Sequence, residues 1–142
     1  MYFEDLYADF INDFLEADFI IGHNVQFDIK FLKHELNSLY EVGMIDETWE
    51  PKNSFCTMTY YKNICNIPAP RGNGIKNPKL SEVIDFLNIS QDKIATKANE
   101  LFQGSGNYHD ARFDTAATYL LVIEGIKQKY IKPGFFSEQL KK

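Results

Sequence analysis

Two short segments carry the side chains of this chain that are best suited to chemistry. Residues 23–28 read HNVQFD and residues 109–114 read HDARFD, so each segment pairs a histidine with an aspartate five positions later. Carboxylate oxygens are the ligands that Mg²⁺ and Mn²⁺ prefer, and an imidazole with an ordinary pKa of about 6.5 can take a proton from water. Asp28 and Asp114 are therefore candidate metal ligands, and His109 is the candidate general base for a metal-assisted hydrolysis.

The elements around the first motif are predicted to hold its side chains at the end of a strand. Residues 19–22 (FIIG) are apolar on both sides and end in Gly, which favours a buried parallel strand that delivers His23 and Asn24 at its carboxyl end. Asn24 is predicted to cap a helix over residues 25–40, whose apolar side chains follow the 3.6 period. Asp28 then lies in the first turn, where the helix dipole favours an anion.

The second motif is predicted to begin the longest helix near the end of the chain. Asp110 is its predicted cap, which places Asp114 in the first turn, as Asp28 is in its own helix. A further amphipathic helix is predicted over residues 2–16, with its acids turned toward water. The final helix is indicated by apolar residues at helical spacing: Phe113, Ala116, Ala117, Leu120 and Leu121.

Between the two motifs the sequence predicts less regular structure. Residues 41–54 are expected to form an irregular connection, and residues 57–61 suit a short helix, although their composition also suits a strand. Pro and Gly mark a loop over residues 68–78, after which Asn77 and Pro78 are predicted to cap and begin another helix. The polar stretch that follows carries no predicted element.

Length and composition favour one folded domain over residues 1–142. Of these residues 44% are hydrophobic and 15% aromatic, enough to build a core. The net charge of −5 argues against a basic nucleic-acid-binding module but suits a metal nuclease, because bound cations neutralise the substrate phosphate. Cys56 and Cys65 lack zinc-site spacing and are expected to be free thiols. With no apolar run of membrane-spanning length, a soluble cytoplasmic protein without a membrane partner is expected.

The two motifs resemble the last two motifs of the DEDDh-type 3′–5′ exonucleases, and the resemblance covers nearly the whole chain. Residues 55–58 and 77–80 are also similar to a bacterial and phage branch of that family. The resemblance implies an α/β, ribonuclease-H-like exonuclease fold. It implies that Asp28 is the second-motif acid, His109 the base and Asp114 the third-motif metal ligand. It also implies Mg²⁺ or Mn²⁺ as cofactor and DNA or RNA with a single-stranded 3′ end as substrate.

The family's first motif, Asp-x-Glu, lies on an opening strand, and this chain contains no Asp-x-Glu. The chain is therefore expected to be the C-terminal portion of an exonuclease domain, N-terminally truncated and predominantly helical. An N-terminal fragment or a polymerase partner would have to supply the missing acids. The alternative is a catalytically silent exonuclease-like remnant that binds nucleic acid or a replication partner.

His23, Asn24 and Phe27 are the candidate substrate-binding residues, and each also has a purely structural interpretation. A histidine at a strand end commonly forms structural hydrogen bonds, and Asn24 is first of all a helix cap. Phe27 and Phe113, each one residue before a key aspartate, are expected to pack in the core, although an aromatic ring there could instead stack on a nucleobase. The two aspartates could be first-turn acids that only complement the helix dipole.

Overall fold

The computed structural model describes residues 16–102 and 111–141, which group into two compact units that divide between Cys56 and Thr57. This part of the chain is mixed α/β and mostly helical, while the ribonuclease-H-like topology and the single domain stay predictions. Its strands are β1 (Ile20–Gly22) and β2 (Ser54–Cys56). Its helices are α1 (Val25–Glu41), α2 (Thr57–Cys65), α3 (Leu80–Phe86), α4 (Gln91–Phe102), α5 (Ala111–Lys127) and α6 (Phe135–Leu140).

The first unit is a β–α–β arrangement. β1 and β2 pair in parallel, with Ile21 opposite Phe55 and Gly22 opposite Cys56. Two parallel neighbours need a crossover connection, and the segment that contains α1 provides it. The parallel strand predicted at residues 19–22 is thus confirmed. β2 is not predicted: its first residue, Ser54, falls in the predicted irregular connection, and a three-residue strand is too short to show a period in the sequence.

The core of the first unit lies under one face of α1, as the helical period predicts. The bounds of α1 agree with the predicted residues 25–40 to within one residue. The backbone N–H of Trp49, a buried residue, donates to Asn37 Oδ1 at 3.1 Å, which ties the irregular connection to the helix. The buried cluster consists of Val25, Ile29, Leu36, Leu39 and Trp49, with Ile20, Leu32, Ile45 and Cys56 packed against it.

β1 is less buried than its apolar sequence predicts. Ile20 packs against the core under α1, but Ile21 is 39% exposed. Neighbouring strand residues point to opposite faces of a sheet. The sheet has two strands among the described residues, and α1 packs on the face that carries Ile20. The prediction of a strand buried on both faces is therefore wrong.

The second unit is built around α5, against which α2, α3 and α4 pack. Phe113 is 4% exposed, and the other apolar residues predicted for this helix are buried with it. The long final helix and the core position of Phe113 are thereby confirmed. Tyr61 of α2 is also fully buried, and its hydroxyl donates to the Leu121 carbonyl of α5 at 2.7 Å.

Two features of the second unit differ from the sequence prediction. Residues 91–102 form α4 despite their polar composition, because Ile94 and Ala98, one turn apart, are buried and the helix packs on α5. α3 takes Lys79 as its N-cap residue, not Asn77, and the Glu82 carboxylate accepts a hydrogen bond from the Lys79 backbone N–H at 2.9 Å. A carboxylate three residues into a helix can thus fix its start without a capping side chain.

Some predictions fall on residues that the structure does not describe. The helix predicted over 2–16 lies outside the described residues except for Glu16, and so do His109 and Asp110. Over residues 16–102 and 111–141, none of the helices combines the length and the apolar character that crossing a membrane requires.

Candidate active site

The turn between β1 and α1 brings four of the predicted site residues into one short segment. His23 and Asn24 form the turn, and Phe27 and Asp28 lie in the first turn of α1. Asn24 has φ 70° and ψ 48°, a left-handed conformation that asparagine tolerates better than most residues. Its carbonyl accepts a hydrogen bond from the Phe27 N–H at 3.1 Å. The chain therefore passes from strand to helix within two residues and places the start of α1 beside the strand end.

Asn24 occupies the predicted N-cap position, but it does not cap the helix in the predicted way. A capping side chain accepts a hydrogen bond from the second or third helical N–H, and this geometry needs an extended backbone at the cap. In the left-handed conformation the Asn24 side chain makes no such bond and is exposed. The N-cap position of Asn24 is thus confirmed, but its side chain does not form the capping hydrogen bond and is exposed at the end of β1.

The Asp28 carboxylate lies against the end of β1. A Cβ at Gly22 would be 3.1 Å from Asp28 Oδ2, so this oxygen packs closely against the backbone of Gly22. Removal of the carboxyl group from water raises the pKa of Asp28 above its ordinary value. The residue as a whole remains exposed, so the carboxylate is partly shielded and still open on one side. An oxygen ligand at the carboxyl end of a parallel strand has the position expected for a ligand-binding acid.

Phe27 does not pack in the core, and the core prediction for it is wrong. Its side chain is 70% exposed, and Phe31, one helical turn later, is 55% exposed. The reason is helical phase: Val25 and Ile29 form the buried face, and Phe27 and Phe31 fall on the other side. The sequence carries this signal, because both rings lie off the apolar 3.6-period stripe of α1, but Phe31 lies outside the HNVQFD motif and the motif does not indicate it.

Asp114 belongs to the second unit, where it lies in the first turn of α5 as predicted. It is half-buried, and its backbone carbonyl accepts a hydrogen bond from the Thr118 hydroxyl at 2.9 Å. His109, the predicted base, is outside the described residues. The structure therefore places both aspartates in first turns, but their convergence on one site with His109 stays a prediction.

Asp28 and Asp114 provide donor atoms of the type that Mg²⁺ and Mn²⁺ bind. In the part of the chain that the structure describes, no three His, Cys, Asp or Glu side chains come together as a metal site. Neither Cys56 nor Cys65 is in a disulfide, and both are half-buried. The described residues thus place Asp28 in the first unit and Asp114 in the second, without a complete ligand set around either.

In comparisons with known proteins, no family model, no curated protein and no solved structure matches this chain. The expectation of a DEDDh-type exonuclease therefore stays a prediction that rests on the two motifs and on their positions. Of these positions, the strand end before Asp28 and the first-turn places of both aspartates are structural observations.

Proposed function

We propose that this chain is part of a DEDDh-type 3′–5′ exonuclease domain and that it supplies two of the acids of a two-metal site. Asp28 and Asp114 are the proposed metal ligands, and His109 is the proposed base. The Asp-x-Glu pair that the chain lacks would come from another polypeptide segment, such as an N-terminal fragment or a polymerase partner. The substrate would be DNA or RNA with a single-stranded 3′ end.

The position of Asp28 is the observation that carries this proposal. A solvated surface acid at a helix start would need no contact with the preceding strand, because the helix dipole alone explains it. Asp28 instead sets one carboxylate oxygen against Gly22, at the carboxyl end of a parallel strand. This arrangement partly desolvates the acid at a cost to the protein, and such costs are concentrated at functional sites.

Each proposed residue has a distinct part in hydrolysis. Divalent cations bound there would activate the attacking water and stabilise the leaving oxyanion. Asp28 and Asp114 would hold those ions from the first turns of α1 and α5. His109 would accept the proton of the attacking water. Asn24 and Phe27, both exposed at the same strand end, would contact the 3′ nucleotide.

The second candidate function is a catalytically silent remnant of the family that binds nucleic acid or a replication partner. The sequence favours it in one respect, since no Asp-x-Glu occurs anywhere in the chain. Magnesium dehydrates reluctantly and is poorly held by one or two carboxylates without further ligands. In this case Asp28 and Asp114 would keep their positions without binding metal. Added Mn²⁺ would then neither change nucleic-acid binding nor lead to cleavage.

The test is Mn²⁺ titration by calorimetry together with an assay of 3′ shortening on a 5′-labelled single strand. The chain is assayed alone and with a fragment that carries the Asp-x-Glu strand of a related exonuclease. The variants are Asp28→Asn and Asp114→Asn. The matched control is Asp92→Asn, because Asp92 is an exposed acid in the first turn of α4 and no proposed ligand.

If the proposal is right, the mixture shortens the strand from its 3′ end and either ligand variant reduces the rate at least about a hundredfold, since even changes to outer-shell residues cost up to that much. The Asp92→Asn chain keeps the wild-type rate. An intact strand under conditions in which a complete DEDDh exonuclease degrades it would overturn the proposal in favour of the silent remnant.

A further inference from the structure

The outward face of α1 carries an aromatic pair that the core does not use. The buried face is formed by residues such as Val25, Ile29 and Leu36, while Phe27 and Phe31 are 70% and 55% exposed. Residues four apart lie on one side of a helix, about 6 Å apart along its axis. The two rings therefore project from the side of α1 that faces away from its core, and they begin one residue before Asp28.

The composition of this face fits a single-stranded nucleic acid better than a protein partner. Beyond the two rings, the same line of the helix continues with polar residues, His34 and Ser38, and the Ser38 hydroxyl donates to the His34 carbonyl at 2.8 Å. Lys30, also exposed, lies between the two rings in sequence. Stable protein interfaces bury a contiguous patch of several hundred Å² or more on each partner, whereas a single strand is bound by aromatic rings that stack on successive bases together with cations that contact its backbone.

We propose that Phe27 and Phe31 form a stacking platform for two neighbouring bases of a single strand and that Lys30 contacts the backbone phosphate. The inference rests on the proposed function, because it leads the strand along α1 from the acid at its start. It adds to the contact of Phe27 with the 3′ nucleotide the binding of the next nucleotide upstream, by Phe31 and Lys30, without a base-specific contact. Stacking is tolerant of sequence since every base has an aromatic face.

The test measures binding and not cleavage. A fluorescein-labelled oligothymidylate is titrated with the full chain in EDTA, and fluorescence anisotropy gives the dissociation constant. The variants are Phe31→Ala, Phe31→Tyr, which keeps a stacking ring, and Lys30→Gln. The matched control is Phe102→Ala, because Phe102 is an exposed phenylalanine of α4, 41% exposed, in the other unit. Far-UV circular dichroism confirms that each variant is folded.

The expected result is that Phe31→Ala weakens binding at least about fivefold, as the loss of one stacked base does. Phe31→Tyr and Phe102→Ala bind as the wild type does. Lys30→Gln weakens binding and reduces its dependence on salt, as loss of a phosphate contact does.

Three outcomes would overturn the platform: no binding by the wild type, equal loss in Phe31→Ala and Phe102→Ala, or self-association of the wild type that Phe31→Ala abolishes. The last outcome would mean that a second copy of the chain covers this face. Because binding is measured in EDTA, without metal or cleavage, failure of the platform is distinguished from failure of the exonuclease proposal, which the Asp114→Asn assay tests.

Discussion

The carboxylate of Asp28 lies over the backbone of Gly22, where any larger residue would displace it. A Cβ at position 22 would be 3.1 Å from Asp28 Oδ2 and 3.2 Å from Val25 Cγ2. Gly22 does not have a positive φ, so its backbone conformation is open to other residues and only space restricts it. The glycine that ends β1 thus sets how closely the first turn of α1 can approach the strand.

Gly22→Val is therefore expected to lower the free energy of unfolding of the first unit by about 1–3 kcal/mol, the usual cost of overpacking. Gly22→Ala should cost less, because its single added carbon requires shifts of only a few tenths of an ångström. Urea unfolding followed by tryptophan fluorescence measures this. Trp49 is the chain's one tryptophan and is 2% exposed in the core of this unit.

The double variant Gly22→Val/Asp28→Ala separates the contact with Asp28 from that with Val25. If the carboxylate is the main obstacle, valine costs less in the Asp28→Ala background than in the wild type. Equal costs in the two backgrounds would show that the Asp28 carboxylate does not restrict position 22.

The raised pKa of Asp28 predicts a pH dependence with a definite sign. Desolvation raises the pKa in the folded chain above the ordinary value of 3.8, so the folded state holds this proton more tightly than the unfolded state does. Ionisation of Asp28 therefore costs stability as pH rises through 3.8, and the cost persists above the folded-state pKa. Asp28→Asn should unfold at a higher temperature than wild type at neutral pH, with the difference shrinking below pH 3.8.

A carboxyl-carbon NMR titration of Asp28 gives the direct measurement, with a midpoint above 3.8 expected. Asp92→Asn is the control for thermal unfolding, because Asp92 also lies in the first turn of a helix, α4, and is exposed. A midpoint at or below the ordinary value would mean that the helix dipole outweighs desolvation at Asp28.

The sequence predicts those helices whose apolar residues repeat at the helical period, because this repeat shows which face is buried. α1 and α5 each keep an apolar stripe against a core, so their existence and their first-turn aspartates could be foreseen. The sequence does not predict α4, because its buried residues are Ile94 and Ala98 and two residues do not make a clear apolar stripe. Packing against α5 stabilises this helix more than its own sequence pattern does. The exposure of Phe27 could be read from its phase but was outweighed by the general tendency of phenylalanine to be buried.

The Asp28 contact with Gly22 lies beyond what sequence reasoning could give. The strand reaches the helix through a left-handed turn at Asn24, whereas the sequence favours a capping side chain for that residue. Asparagine suits both conformations, so residue type alone does not decide between them.

Glu124 is a buried acid of α5 that lysines hold in its charged form. It is 8% exposed, accepts a hydrogen bond from Lys93 Nζ, and has Lys127 Nζ at 3.6 Å. The hydrogen bond with Lys93 is the largest cause that lowers the pKa of Glu124. The ion pair thus stabilises the fold at pH values above 4.5, the ordinary pKa of a glutamate. This stabilisation is lost as pH falls through the lowered pKa of Glu124 in the folded state.

Glu124→Gln is expected to lower the free energy of unfolding by about 1–3 kcal/mol at neutral pH, the range for a hydrogen bond to a charged group. Denaturant unfolding followed by circular dichroism measures it. Glu100→Gln is the matched control, since Glu100 pairs with Lys97 at 2.7 Å on the exposed side of α4 and such pairs contribute little. Equal effects of the two variants would show that burial of Glu124 adds nothing to its ion pair.

In the second unit, the Tyr61 hydroxyl packs against Gly125, where it occupies the space that a side chain at position 125 would need. A Cβ at position 125 would overlap the Tyr61 hydroxyl and lie 2.9 Å from Ile131 Cδ1, and all three residues are buried. The hydroxyl cannot easily move away, because it donates to the Leu121 carbonyl at 2.7 Å. Gly125→Ala should therefore lower the free energy of unfolding by about 3 kcal/mol, the upper part of the range for overpacking.

Tyr61→Phe provides the decisive background, because it removes the overlapping oxygen and keeps the ring. Alone it should cost about 1 kcal/mol for the lost hydrogen bond. In the Tyr61→Phe background Gly125→Ala should lower the free energy of unfolding by only about 1 kcal/mol, because the close contact with Ile131 is then the one that remains. Denaturant unfolding of the wild type, the two single variants and the double variant gives the coupling free energy between Gly125→Ala and Tyr61→Phe. A coupling free energy near zero would mean that α2 and α5 separate to admit the methyl group, so that the Tyr61 hydroxyl does not fix their spacing.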